Sequence, residues 1–152
     1  MKEQLQSDLT AAMRAKDEPT VSTLRMALTA VTNEEVAGKE ARELSDADVV
    51  AVLSREVKKR REAASAYDDA GRAELAERER VEERVLARYL PEPLTEAELT
   101  ALIDDAVAAA ESAGLSGGKA MGAVMKQVQP ATLGRADGAA VAAAVRKRLG
   151  LG

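Results

Sequence analysis

The chain contains no cysteine, no histidine, no phenylalanine and no tryptophan, and Tyr67 and Tyr89 are its only aromatic residues. Without Cys and His there is no thiolate nucleophile, no imidazole base and no zinc or haem site of ordinary type. A disulfide framework is excluded as well. Proline and glycine are sparse, at four and ten of 152 residues, which leaves little punctuation for turns. No segment approaches the roughly 18 consecutive apolar residues that a membrane span needs. The opening stretch MKEQLQSDLTAAMRAKDE carries charge throughout, where a secretory signal would have an apolar core. These absences lead to the expectation of a soluble cytoplasmic protein with no membrane partner, no metal and no cofactor.

What remains is 46% apolar and 32% charged. The apolar part is almost wholly aliphatic and rich in alanine. Ala, Leu, Arg and Glu are good helix formers, whereas aromatic and β-branched residues favour strands, so the composition predicts an all-α fold. Apolar spacing then places the helices. Leu5, Leu9, Ala12 and Met13 mark one over about 2–16. Asp17-Glu18-Pro19 opens a second, in which Val21, Leu24, Leu28, Val31 and Val36 continue toward Gly38. Ser45 and Asp48 form a capping box for a third, carrying Val49, Val52, Leu53, Val57, Ala64 and Tyr67. Asp68-Asp69-Ala70-Gly71 breaks it. A fourth runs over about 73–89 with Leu75, Glu79, Glu82, Val85, Leu86 and Tyr89.

Pro91-Glu92-Pro93 disfavours helix on both sides and is the expected boundary between domains 1–91 and 92–152. Thr95 and Glu98 form a second capping box, for a helix reaching Ser112 through Leu99, Leu102, Ile103, Ala106 and Val107, with Gly114 at its end. A sixth helix is expected over about 118–128, on Met121, Val124, Met125 and Val128, followed by a loop from Pro130 to Gly134. Asp137 can cap a seventh, whose Val141, Ala144, Val145 and Leu149 face inward. The architecture expected is four longer helices in antiparallel hairpins, then a small three-helix domain.

The net charge of −4 speaks against a generally nucleic-acid-coated surface, but it is unevenly spread. Residues 92–111 hold six acids and no base, whereas residues 112–152 hold six bases against Asp137 alone, a local net of +5. In this basic stretch lies SGGKAMGAVMKQ, residues 116–127. A phosphate loop needs G-x-x-x-x-G-K-[ST] between a strand and a helix. Here the spacing is one short, Ala120 stands where the hydroxyl belongs, and no strand precedes. A turn leading into a helix N-terminus is the better reading, and free N–H groups there beside Lys119 can hold an isolated phosphate. The denser basic run Lys58-Lys59-Arg60-Arg61 has Glu56 and Glu62 beside it, and the following helix offers Glu77, Glu79, Glu82 and Glu83. It reads as a face of ion pairs between helices, with phosphate contact by Arg60 or Arg61 as the alternative. No carboxylate pair stands out as acid and base.

Several landmarks together carry a resemblance. They are Thr23-Leu24-Arg25-Met26, Lys58-x-Arg60-Arg61-Glu62, Ala70-Gly71-Arg72-x-Glu74-Leu75, Glu79 with Glu82, Tyr89-Leu90-Pro91, Gly118-Lys119-Ala120-Met121-Gly122 and Gly134-Arg135-Ala136-Asp137-Gly138. In order and spacing the chain resembles the stand-alone YqeY-like proteins over nearly its whole length. Their C-terminal module is similar to the tail of the B subunit of the glutamine-dependent aspartyl/glutamyl-tRNA amidotransferase. In that enzyme the tail contacts tRNA while the chemistry occurs elsewhere. The resemblance implies that Lys119 and Arg135 fall on tRNA-facing motifs, and it brings a family label of carbon–nitrogen ligase with glutamine as amido-N-donor. The residues themselves supply no self-sufficient catalytic site. The loop Gln127 to Leu133 departs from the family pattern and bears on the geometry around Arg135.

The leading expectation is an accessory protein that binds tRNA, or an aminoacyl-tRNA complex, through residues 114–148. Lys119 and Arg135 would contact phosphates, Arg146, Lys147 and Arg148 would extend the positive surface, and Gly118 and Gly122 would permit close approach. Two alternatives accompany it. One is a helical protein-interaction adaptor, which an exposed apolar stripe on the third or fourth helix would favour. The other is a component acting only with amidotransferase subunits.

Overall fold

The computed structural model describes all 152 residues as seven α-helices without a strand. They are α1 (Lys2–Arg14), α2 (Glu18–Glu35), α3 (Asp46–Asp69), α4 (Ala73–Ala87), α5 (Glu96–Ser112), α6 (Gly117–Thr132) and α7 (Gly138–Arg148). They form two compact units, Met1–Leu90 and Pro91–Gly152.

Local chemistry sets most helix ends. Ser45 and Asp48 complete a reciprocal capping box on α3, and Thr95 and Glu98 do the same on α5. The Ser45 N–H that the Asp48 carboxylate accepts, then the Ser45 side chain and Arg42, hold that carboxyl below the usual carboxylate range. Asp17 accepts from the Thr20 N–H to start α2, and Asp137 accepts from that of Ala140 to start α7. Four C-termini close the same way, by paired backbone bonds that reach back into the last turn. At α3 the Arg72 N–H donates to the Tyr67 carbonyl and the Gly71 N–H to that of Asp68, with Gly71 at φ +73°. The ends of α5 and α7 repeat this pattern. At α1 the left-handed position is held by Lys16 at φ +55°, a conformation that costs a non-glycine residue about 1–2 kcal/mol and that leads directly into the Asp17 cap.

In the first unit α2 packs against α1, α3 and α4, and α3 lies along α4. Leu5, Leu24, Leu53 and Leu86 are the largest fully buried side chains, joined by Val31, Val49 and the buried hydroxyl of Thr23. That hydroxyl donates to the Pro19 carbonyl at 2.8 Å, so its burial leaves no polar group unpaired. Met13 and Val36, expected on inward faces, are exposed. The reason is position: Met13 lies in the last full turn of α1, and α2 has already ended at Glu35 when the chain reaches Val36. Tyr89 donates its hydroxyl hydrogen to Asp8, and burial together with that bond pushes the phenol far above its ordinary pKa.

The α3–α4 seam carries a buried ion cluster. Arg60 and Glu56 are 7% and 8% exposed, and their side chains pair at 2.7 Å. Arg60 also donates to Glu82 at 3.3 Å and touches the Met26 sulfur, while Lys59 reaches Glu56 at 3.0 Å. Arg61 pairs with Glu83 at 2.5 Å. Lys59, Arg60 and Arg61 are therefore paired with acids, as the ion-pair reading expects, and Arg60 is held in the interior away from any phosphate. Glu79 has no ion partner, and burial, then the charge of Glu82, raises its pKa. A carboxyl raised in this way lends stability only at low pH and loses it as pH rises through the folded-state value.

The second unit is built of small side chains. Ile103, Ala106, Val107 and Ala110 of α5 meet Ala120, Val124 and Val128 of α6 and Val141 and Val145 of α7, and each helix packs on the other two. Here the sequence expectation needs a correction, because α6 runs through Pro130 to Thr132 instead of giving way to a loop at Pro130. Proline removes one N–H and crowds the preceding turn, which normally ends a helix. In α6 the buried positions Ala120, Val124, Val128 and Thr132 recur every four residues, and core packing carries the helix one turn further. The Thr132 hydroxyl donates to the Val128 and Gln129 carbonyls, which anchors that turn.

Two outcomes follow from this packing. Arg60→Met strands Glu56 without its buried partner and is expected to cost about 3–5 kcal/mol in urea unfolding. Adding Glu56→Gln should recover about half of that. A single-variant loss below about 1 kcal/mol would show that the seam does not depend on the pair. Residues 91–152 expressed alone should give helical circular dichroism and a cooperative, if low, melting transition, near the lower size limit for independent folding.

Candidate nucleic-acid interface

The basic stretch belongs to α6, the turn after it and α7. Ala120, Val124, Val128 and Thr132 face the core, so the opposite side of α6 presents Gly118, Lys119, Gly122, Lys126 and Gln129 to solvent. Residues 119, 122, 126 and 129 follow helical spacing along one face, and α6 contains no acid anywhere. Lys126 belongs to this face as fully as Lys119, although it lies outside the glycine-rich motif that drew attention to the stretch. Its spacing of seven from Lys119, two turns on, was the signal that would have found it.

The start of α6 differs from the other helix starts in its unit. Ser116 makes no side-chain cap, and the first turn bond runs from the Ala120 N–H to the Ser116 carbonyl. The N–H groups of Gly117, Gly118 and Lys119 have no acceptor within the chain, and Gly117 sits at φ +56°. Open N–H groups and the positive end of the helix dipole both favour an anion beside Lys119.

Gly118 and Gly122 have a further property. A Cβ at either would meet nothing within 4 Å. Packing inside the unit therefore gives no reason for glycine, although Gly122 within a helix costs about 0.5–1 kcal/mol relative to Ala.

The six bases divide into two groups. Lys119, Lys126, Arg146 and Lys147 are exposed and make no ion pair. Arg148 pairs with Asp104 of α5 at 2.9 Å, and Arg135 is tied to the start of the unit. The structure does not gather them at one point. Thirteen residues of α6 separate Lys119 from Thr132, about 20 Å at 1.5 Å per residue, so Lys119 and Arg135 lie at opposite ends of that helix. Arg146 and Lys147, in the last turn of α7, add charge where cations suit the dipole. What the arrangement offers is two lysines along an acid-free face of α6 and two further exposed bases at the end of α7, with no aromatic residue in the unit.

Elsewhere the surface offers less. The only large apolar side chains that are exposed are Met13, Val36 and Leu151, so α3 and α4 carry no exposed apolar stripe. An open groove between α2 and α4 is lined by Pro19, Ser22 and Val81 with Glu74, Glu77, Glu82 and Arg78. No helix is long and apolar enough to cross a membrane.

The YqeY-like protein family matches residues 2–149. The Altered inheritance of mitochondria protein 41, mitochondrial, of Pyrenophora tritici-repentis is 30% identical over 128 residues, covering 82% of this chain and 69% of that protein. An uncharacterised protein of Schizosaccharomyces pombe is 32% identical over 89 residues, covering 58% of this chain and 70% of its own length.

Because a new methyl at Gly122 meets no atom, Gly122→Ala should raise stability by about 0.5–1 kcal/mol, seen as a higher melting temperature. A lower melting temperature would mean that the glycine serves the fold.

Proposed function

The chain belongs to the YqeY-like family, and from that premise we propose that its second unit is an accessory tRNA-binding module, acting on tRNA or on an aminoacyl-tRNA complex. Lys119 and Lys126 along α6, with Arg146 and Lys147 at the end of α7, contact backbone phosphates. Gly118 and Gly122 leave room for the backbone beside the lysines, and the open N–H groups at the start of α6 hold one further phosphate oxygen. The observation that carries the reading is the pairing of unneutralised lysines with exposed helical glycines that the fold does not require. The similarity of the family's C-terminal module to the tail of the amidotransferase B subunit supports it. On this reading the chain contributes binding and positioning to amide transfer and makes no bond itself. Subunits of such an amidotransferase are the protein partners it implies.

With no aromatic ring in the unit, base stacking is a minor source of affinity. Recognition rests on phosphates, which position a protein on nucleic acid without reading sequence. Unrelated tRNAs should therefore bind within about threefold of one another, and short unstructured RNA more weakly.

The test is tRNA binding to the full chain by anisotropy over a range of salt. Each phosphate neutralised contributes close to one unit to the slope of log affinity against log salt, so Lys119→Ala and Lys126→Ala should each lower it by about one. Changing Arg146, Lys147 and Arg148 together to Glu should abolish binding at moderate salt. The same three changed to Gln separate lost charge from the dipole cost of acids at a helix C-terminus, about 0.3–1 kcal/mol each. Gly122→Ala should bind more weakly despite its added stability. Charge reversal of Lys39, an exposed lysine of the first unit, should leave binding unchanged. No binding by the wild-type chain at low salt, or folded triple variants that bind as wild type does, would end the proposal.

A further inference from the structure

We infer that Arg135 is a positioning residue: it latches the segment Glu92–Leu94 onto the turn between α6 and α7, and it is not a phosphate ligand. Three contacts carry this. The Arg135 Nε–H donates to the Glu92 carbonyl at 2.8 Å. The Leu94 N–H donates to the Arg135 carbonyl at 2.9 Å, so one residue both gives to and receives from the same short segment. Its Nη2 lies 4.0 Å from Glu98, the acid that completes the α5 capping box.

The chemistry suits a latch. Pro91 and Pro93 have no N–H to offer, so Leu94 supplies the first backbone donor after this proline pair apart from Glu92. Arg135 satisfies that donor with its carbonyl and the Glu92 carbonyl with its guanidinium. A guanidinium presents donors in a planar fork and can hold Nε on a carbonyl while facing a carboxylate with Nη2, which the single ammonium of lysine cannot reproduce. Arg135 in turn is fixed from behind, since its own N–H donates to the Thr132 carbonyl at the end of α6. Its side chain is only 35% exposed, whereas the cations proposed to bind phosphate lie open to solvent. Through this latch the lead-in to α5 and the turn that launches α7 are held together, and the start of α7 sits two residues on, at the Asp137 cap.

The experiment uses the full chain and has two readouts. Hydrogen exchange of the Leu94 amide reads the latch directly, with Val124 and Val145 amides as reporters of an intact core. The expected result is exchange at Leu94 at least ten times faster in both Arg135→Gln and Arg135→Lys, with Val124 and Val145 unchanged. Leu94 protected in Arg135→Lys as in wild type overturns the inference, because charge alone would then suffice. Salt-dependent tRNA binding is the second readout and rests on the proposed function. The latch predicts a slope unchanged in Arg135→Gln, whereas a slope lowered by about one and restored by Arg135→Lys makes Arg135 a phosphate contact and overturns the inference. If wild type binds no tRNA, the nucleic-acid proposal fails while the exchange result still decides the latch. If the glutamine variant loses core protection, the milder lysine variant carries the same comparison.

Discussion

A core without large rings constrains the whole molecule. An aromatic side chain buries 150–250 Å2 and fills a wide gap between helices, whereas alanine and valine fill a narrow one. In the second unit the buried set is Ile103 with alanines and valines, so α5, α6 and α7 must approach closely for any apolar surface to leave water. Close approach in turn demands that each helix start and stop in register, since a helix overrunning by a turn would put its next residue into its neighbour. The capping boxes at Ser45 and Thr95, the Asp caps at 17 and 137 and the backbone closures after α1, α3, α5 and α7 meet that demand. Each contributes on the order of 1 kcal/mol, a substantial share of the marginal stability of a small domain.

The same economy governs charge. Within the first unit the dense basic run is consumed by acids on its own and the facing helix, and Arg60 is drawn into the interior by Glu56 and Glu82. A buried guanidinium with carboxylates around it fixes the register of α3 on α4, because sliding either helix would strand a charge. In the second unit all the acids but Asp137 gather on α5 and in the segment leading into it, and Arg135 and Arg148 find partners among them. The other four bases are left to solvent. Charge density in the sequence is thus a poor guide to charge availability. The densest run is the least available, and scattered single lysines on α6 are the most.

This contrast shows what the sequence made legible. Helix number and most ends could be read because caps are local: Ser45 with Asp48 and Thr95 with Glu98 are decided within four residues. The ion-pair reading of Lys59, Arg60 and Arg61 also held, since the acids were close enough in sequence to be counted. Where a local rule met tertiary packing, the rule lost. Pro130 signals a break, but Val128 and Thr132 are held in the core on either side of it and the helix continues. Met13 continues an apolar pattern, but α1 is ending and no helix covers it. The surroundings of Arg135 were not legible at all, because its acceptor at Glu92 lies 43 residues away in sequence.

The exposed glycines of α6 show how stability and binding can be told apart in such a fold. A residue that serves packing is recognised by what its replacement would strike, and at Gly122 a methyl strikes nothing. The fold would accept alanine there and gain from it, as it does at the many alanines on neighbouring faces. At Gly122 a helix interior forgoes this gain on its solvent-facing side, between two unpaired lysines, and nothing in the packing of the unit requires it to. The exposed alanines of α5 provide the internal comparison: there the surface is equally small, yet the helix holds neither a glycine nor a base. Only on α6 does a glycine lie inside a helix between two unpaired lysines, and packing within the unit gives no account of it there.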